Sequence, residues 1–155
     1  MVSSWRNVVH GLLKRTGFAW SQWSQIEIRT VLAVTNDPGC KMSLRVISLE
    51  QGWRILFADS VEDALRVRSL HRIGVLVYDR ALRGADWRQG LRRLISCEEP
   101  LIPIVVSDVP DARLRSEVLN CGGYDLARNP PERSCFPSLV NGALRLAESM
   151  DSIEA

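Results

Sequence analysis

Several polar side chains stand where apolar runs of the sequence end, which is where a folded chain can present groups for chemistry. Asp79 follows the apolar run 75–78 and precedes a polar turn that contains Gly84. A carboxylate at such a point either caps the following loop or is available to bind a cation or accept a transferred group. Ser107 follows a second apolar run, and Asn129 follows a third segment of the same kind.

A further polar group, Thr35, Asn36 and Asp37, follows the apolar run 30–34 and precedes Pro38. These residues form an ordinary helix start, because Asn and Asp cap helix N-termini and proline fits the first turn. We favour that interpretation for Asn36 and Asp37. The other reading is that Asp37, together with Asp79, binds Mg²⁺ weakly, since Mg²⁺ is usually bound through one or two carboxylates.

The elements that must position these residues alternate along the chain from residue 30. Short apolar runs predict strands and amphipathic stretches predict helices, which together indicate a parallel, doubly wound sheet. Strands are predicted at 30–34, 53–58, 73–78, 101–106 and 124–127, and helices from Pro38 to about Gly52, after a cap at Asp59 or Ser60, and at 86–97, 111–120 and 134–149.

The predicted helices also have expected inner faces. In the first helix we expect Leu44 and Ile47 to face inward with Val46 or Leu49, and in the second we expect an inward face made of Val61, Ala64, Leu65 and Leu70.

The strand order 2-1-3-4-5 would place the end of strand 1 beside the end of strand 3. Ligands of such sheets bind at the carboxyl ends of the strands, where the strand order reverses. We therefore expect Thr35, Asn36 and Asp37 to lie beside Asp79. Ser107 and Asn129 would close the same pocket.

Composition excludes several classes of protein. With 155 residues, of which 46% are hydrophobic and 25% charged, the chain is typical of one globular domain. A net charge of +2 gives no indication of nucleic-acid binding, and the apolar runs are too short to cross a bilayer. The four cysteines form no CxxC pair, so we expect neither zinc nor disulfides. In the absence of a signal-peptide pattern we expect a cytoplasmic protein.

Over residues 29–149 the sequence resembles a response-regulator receiver domain of two-component signalling. The loop "DRALRGADW" and the segment "NCGGYDLARNPPE" carry the resemblance, with matched positions at Asp79, Leu82, Gly84, Asp86, Ser107 and Pro130. The resemblance implies a flavodoxin-like, three-layer α/β fold with a five-stranded sheet. It also implies that Asp79 is the candidate acceptor of a phosphoryl group from a histidine kinase, and that Ser107 is the candidate switch hydroxyl.

The sequence departs from this family at positions that carry its chemistry. Thr35 and Asn36 stand where the family has an acidic pair that binds Mg²⁺, Asn129 stands at the position of a lysine, and Leu126 replaces an aromatic residue. Phosphoryl transfer depends on neutralising charge, so we expect a degraded pocket in which Asp37 and Asp79 bind Mg²⁺ weakly at best.

These departures favour an atypical receiver-like signalling module that acts through protein–protein contact. The alternative is a working response regulator that is phosphorylated on Asp79 in a histidine-kinase phosphorelay. An enzyme is not expected, because no glycine-rich phosphate loop follows the first strand and no nucleophile–base pair is visible. Since the sequence ends at Ala155, we expect any output to come through a protein partner.

The sequence also predicts a helical extension over residues 1–28, ahead of a receiver-like domain at 29–149 and a C-terminal tail at 150–155. The spacing of apolar residues in the extension predicts an amphipathic helix whose apolar stripe consists of Trp5, Val8, Val9, Leu12 and Leu13. Such a stripe has to be covered, and we expect a protein partner or a homodimer formed through residues 5–23. We do not expect membrane binding, because few positive charges accompany the stripe.

Overall fold

A computed structural model describes residues 29–84, 86–97 and 99–154, the last four of them for the backbone only. The extension 1–28, with its expected amphipathic helix, lies outside the described residues. Within the described ranges, no helix is both long and apolar enough to cross a membrane.

The described chain forms one parallel sheet of five strands in the order β2-β1-β3-β4-β5, as predicted. The strands are β1 (Thr30–Val34), β2 (Arg54–Ala58), β3 (Val75–Asp79), β4 (Ile102–Ser107) and β5 (Asp125–Arg128). Between and after them lie the helices α1 (Pro38–Gln51), α2 (Val61–Leu70), α3 (Trp87–Ile95), α4 (Ala112–Asn120) and α5 (Phe136–Glu154). The expected flavodoxin-like, three-layer fold is confirmed.

The sheet is covered on both faces, which explains why its central strands are continuously apolar. Successive residues of β1 alternate between the two faces: Val31 and Ala33 join one core, and Leu32 and Val34 join the other. Helices α1 and α5 pack on the first core, whereas α2, α3 and α4 pack on the second.

Local sequence signals fix where the first two helices begin and end. Asp37 caps α1 by accepting a hydrogen bond from the backbone N–H of Gly39, and Pro38 occupies the first turn. Gly52 ends α1 with a φ of 71°, a left-handed conformation that glycine adopts without steric cost. Of the two candidate caps for α2, Ser60 is the one whose side chain accepts a hydrogen bond, from the N–H of Asp63.

Three apolar side chains that were expected in the core are exposed instead. Leu49 is 84% exposed and Val46 is 36% exposed, because both lie on the side of α1 opposite the buried Leu44 and Ile47. Leu70 is 57% exposed at the last residue of α2, where the helix has passed the edge of the core. These positions follow from the pitch of the helix, which leaves room for only one buried stripe.

The last helix is longer than predicted. α5 continues to Glu154, so most of the expected tail at 150–155 is helical. Met150 is partly buried against the same core as Ala143 and Ala147, at the spacing of one helix face. This packing extends the apolar periodicity of the helix beyond residue 149.

A close contact between β3 and α3 restricts the sequence at Gly90. The glycine is buried beside Tyr78, and a Cβ atom added there would overlap the Tyr78 hydroxyl and press on Val61. The Tyr78 hydroxyl is itself buried without a hydrogen-bond partner among the described residues. Burial, and next the negative charge of Asp79, raise the pKa of Tyr78 to about 12.

We predict that Gly90→Ala lowers the free energy of unfolding by about 1–3 kcal/mol, because the added methyl group overpacks this contact. In a Tyr78→Phe background the same substitution should cost less, since the opposing hydroxyl is gone. Tyr78→Phe alone should leave stability unchanged or raise it, because it removes an unpaired buried polar group. Urea unfolding of the four chains measures these differences, and a Gly90→Ala chain as stable as the parent contradicts the prediction.

Candidate functional site

The candidate site lies at the carboxyl ends of β1 and β3, the neighbouring strands at which the strand order reverses. In the register of this pair, Val34 lies opposite Tyr78. The next residues, Thr35 and Asp79, therefore leave the sheet side by side. Both are almost fully buried, with 1% and 3% of their surface exposed.

Both carboxylate oxygens of Asp79 accept hydrogen bonds from neutral donors. The Thr35 hydroxyl donates to Oδ2 over 2.7 Å, and the backbone N–H of Ala81 donates to Oδ1 over 2.9 Å. No ion pair reaches this carboxylate from residues 29–84, 86–97 or 99–154. Asp79 is thus stabilised by hydrogen bonding and not by a neighbouring positive charge.

Thr35 joins Asp79 to the start of α1. Its hydroxyl donates to Asp79 and accepts a hydrogen bond from the backbone N–H of Asp37 over 3.0 Å. One side chain therefore both satisfies a buried carboxylate and orients the first turn of the next helix. A hydroxyl can fill both roles because it has one donor and two acceptor positions.

Asp37 is occupied by two further donors. Its Oδ1 accepts from the N–H of Gly39 over 3.0 Å as the helix cap, and its Oδ2 accepts from the side-chain amide of Asn129 over 3.2 Å. The amide oxygen of Asn129 is buried without a partner among the described residues. We call Thr35, Asp37, Asp79 and Asn129 the Asp79 cluster. The sequence analysis expected all four members in one pocket, and hydrogen bonds through Thr35 and Asp37 connect them.

Asn36 points away from the Asp79 cluster and connects two loops. Its amide group donates to the carbonyl oxygen of Asp59 over 2.7 Å, and its side-chain oxygen accepts from the N–H of Arg83 over 3.2 Å. The Asp59 carboxylate is also bound by Lys41, at 2.7 Å. The loops after β1, β2 and β3 are therefore tied together by one exposed amide.

Ser107 is 2% exposed at the end of β4, and it accepts hydrogen bonds from the backbone of Val109 and Asn129. The hydroxyl accepts a hydrogen bond from the N–H of Val109 over 3.2 Å, and the carbonyl oxygen accepts one from the N–H of Asn129 over 2.8 Å. Ser107 thus caps its own loop and positions the backbone of Asn129. It lies next to the Asp79 cluster along the sheet, because Val106 pairs with Asp79.

Cys40 lies beside the cluster on α1, and the sequence analysis did not identify it as a site residue. Burial, and next the negative charge of Asp79, raise the pKa of its thiol to about 12, while a hydrogen bond with Thr35 acts in the opposite direction. The thiol is therefore protonated at neutral pH and behaves as a small apolar group beside the carboxylate.

Asp37 and Asp79 are the carboxylates that this site offers to a cation such as Mg²⁺. Mg²⁺ requires near-octahedral oxygen ligands, usually one or two carboxylates with waters. Here each oxygen of Asp37 and Asp79 already accepts a hydrogen bond, and Thr35 directs its proton at Asp79. No group of three or more His, Cys, Asp or Glu side chains suited to a metal ion occurs among the described residues.

The role of Thr35 was missed by sequence reasoning, which treated it as a residue at the position of an acidic ligand. The predicted strand order already placed Thr35 beside Asp79, but not the hydrogen bond that its hydroxyl donates to the carboxylate. Residues that follow paired strand ends in a parallel sheet lie side by side, so Thr35 and Asp79 are neighbours once β1 and β3 are aligned.

No protein-family model matches the sequence, and no curated protein matches it. Solved structures do match. A CheY-like response-regulator receiver domain from Methanospirillum hungatei has a TM-score of 0.69 at 16% identity, covering 78% of this chain and 97% of that one. A putative response regulator from Chloroflexus aurantiacus has a TM-score of 0.66 at 22% identity, covering 75% and 97%.

A third match is the beryllofluoride-activated NtrC4 receiver domain, which was solved as a dimer, with a TM-score of 0.70 at 18% identity. It covers 77% of this chain and 98% of that one. These similarities, together with the strand order and the placement of Asp79, show that the chain has the flavodoxin-like fold of a response-regulator receiver domain.

Proposed function

We propose that the protein is a receiver-like signalling module that acts by contact with another protein, without depending on Mg²⁺-assisted phosphorylation of Asp79. The receiver fold supports the signalling role. The hydrogen bond from Thr35 to Asp79, at 2.7 Å, carries the proposal that the pocket is atypical. The proposal assigns no enzymatic turnover to the protein.

The electrostatic property that makes the proposed pocket atypical is the lack, among the described residues, of a positively charged donor to its carboxylates. Transfer of a phosphoryl group to a carboxylate adds negative charge, and proteins that catalyse phosphoryl transfer neutralise that charge with metal ions and basic side chains. At this site the donors to Asp37 and Asp79 are a hydroxyl, an amide and backbone N–H groups, all of them neutral. These donors satisfy the resting carboxylates but supply no net positive charge for an incoming phosphoryl group.

Protein contact is the form of output that fits such a pocket. A site whose groups are held by mutual hydrogen bonds has one resting arrangement, and a partner can recognise that arrangement directly. The Asn36 side chain also holds the neighbouring surface in one arrangement, because it hydrogen-bonds to the backbone of two loops, at Asp59 and Arg83. The proposed module therefore presents a fixed surface at the carboxyl edge of the sheet.

A second candidate function is a working phosphoacceptor in a histidine-kinase phosphorelay. The position of Asp79 favours it, since this carboxylate ends β3 at the reversal of strand order. Ser107 then serves as the switch hydroxyl, from the end of the neighbouring strand β4. In this reading Asp37 and Asp79 together hold Mg²⁺ weakly, and Asn129 stands at the lysine position of the family.

We predict that Mg²⁺ binds with a Kd in the millimolar range or does not bind. Thr35→Asp should tighten binding, because it sets a second carboxylate against Asp79 where a hydroxyl now donates. Without Mg²⁺ the same variant should have a lower Tm than the parent chain, and Mg²⁺ should restore it. Isothermal calorimetry and thermal unfolding with and without MgCl₂ measure both effects.

The matched control for this experiment is Thr35→Asn, which introduces a side chain of about the same size as Asp but without its negative charge. It should show no Mg²⁺-dependent change in Tm. A micromolar Kd for Mg²⁺ in the unaltered chain would refute the proposed atypical pocket and favour the second candidate.

We also predict that a small phosphoryl donor, acetyl phosphate, modifies the unaltered chain slowly or not at all in the presence of MgCl₂. Asn129→Lys should raise the rate, since the new ammonium group would lie beside Asp37 and supply the missing positive charge. Combining it with Thr35→Asp should raise the rate further. Intact-protein mass spectrometry over time follows the added phosphoryl group.

Asp79→Asn, introduced into each of these chains, controls for modification elsewhere and should abolish the signal. Stoichiometric phosphorylation of the unaltered chain within minutes, lost in Asp79→Asn, would make the working phosphoacceptor the better description of the protein.

A further inference from the structure

Helix α1 carries an apolar stripe on the side that faces away from the sheet. Met42, Val46 and Leu49 are 59%, 36% and 84% exposed, and their spacing of four and three residues aligns them along the helix. Leu49 has the highest exposure among the large apolar side chains of the described residues. We call these three residues the α1 stripe.

The surroundings of the α1 stripe resemble the rim of a contact surface. On one side the Arg45 guanidinium lies over the ring of Phe57, 5.1 Å from its centroid. On the other side Glu50 is bound by Arg133 through two guanidinium nitrogens. An apolar strip edged by polar and charged side chains is typical of a surface that contacts protein.

The part of the chain outside the described residues joins the domain beside this helix. Arg29, the first described residue, lines a cleft of about 300 Å³ together with Gln51, the last residue of α1. The remaining lining residues belong to α5: Asn141, Leu144, Arg145 and Glu148. Arg29, to which residue 28 is joined, therefore lies next to the last turn of α1, which carries Leu49.

The apolar stripe of the helix that the sequence predicts in the extension is about as long as the α1 stripe. From Trp5 to Leu13 a helix rises about 12 Å, and from Met42 to Leu49 it rises about 10 Å, at about 1.5 Å per residue. Residues 14–28 connect the two regions and can span up to about 50 Å when extended. Since α1 is only about 21 Å long by the same rise per residue, the segment reaches every part of the stripe.

We propose that residues 5–13 of the same chain dock on the α1 stripe. The covalent connection decides between this occupant and a second copy: a short tether gives an effective concentration of about the millimolar range, far above a micromolar protein concentration. This proposal departs from the protein partner or homodimer expected from the sequence alone, because that analysis expected Val46 or Leu49 to face inward and so did not predict an exposed stripe. The proposed docking does not involve the Asp79 cluster, so it does not depend on which of the two candidate functions is correct.

Limited trypsin digestion of the full-length chain tests the proposal, with mass spectrometry following cleavage after Lys14 and Arg15. Docking should protect these sites, so Met42→Glu/Leu49→Glu should speed cleavage by about tenfold or more. Leu12→Asp/Leu13→Asp should have the same effect, and combining both pairs should add nothing further. The uncharged Met42→Gln/Leu49→Gln should change cleavage in the same direction.

The matched control is Leu119→Glu, which alters another exposed apolar residue, 49% exposed, on α4 at the opposite face of the sheet. It should leave the cleavage rate unchanged. Cooperative urea unfolding of every variant verifies that the core is intact, which is expected because Met42 and Leu49 make no part of it.

Three results would overturn the proposal. The first is an unchanged cleavage rate in both α1 variants. The second is acceleration by Leu12→Asp/Leu13→Asp alone, which would place the segment elsewhere. The third is light scattering that finds a dimer of the unaltered chain and a monomer of Met42→Glu/Leu49→Glu, which would assign the stripe to a second copy.

Discussion

The hydrogen bond between the Thr35 hydroxyl and the Asp79 carboxylate is the interaction on which the arrangement of the site depends. Burying a carboxylate is costly unless its oxygens are paired, and Asp79 is buried at the end of a central strand. Here the Thr35 hydroxyl and the backbone N–H of Ala81 each pair with one of its oxygens. The same hydroxyl also accepts a hydrogen bond from the backbone N–H of Asp37. The group that pairs with Asp79 at the end of β3 therefore also positions the start of α1.

The rest of the cluster follows from that bond. Asp37 caps α1 with one oxygen and holds Asn129 with the other, which connects the first strand loop to the fifth. The pKa of the Cys40 thiol is raised by burial and by the nearby Asp79 charge, so this side chain of α1 stays uncharged beside the cluster. Moving one group of this network would leave another unpaired, which favours the observed arrangement.

Two surfaces of the domain thus differ in character. At the carboxyl edge of the sheet, polar groups are held in a fixed pattern by Asn36 and the Asp79 cluster. Along the outer side of α1, apolar side chains are exposed and have no covering partner among the described residues. The first surface belongs to the proposed signalling role, and the second offers a place for the extension. Because α1 begins at the cluster and ends beside Arg29, one helix connects the two surfaces.

The sequence by itself determined the fold and the location of the site. Continuous apolar strands alternating with amphipathic helices require a sheet covered on both faces, and the end of each strand fixed the positions of Asp79, Ser107 and Asn129. It also indicated Asp37 as a helix cap. The tertiary structure alone decided which side chains pair, since Thr35 reaches Asp79 only through the alignment of β1 with β3. It likewise decided that Leu49 faces outward, because the apolar residues of α1 exceed what one buried stripe accommodates, and only packing against the sheet selects which of them lie inside.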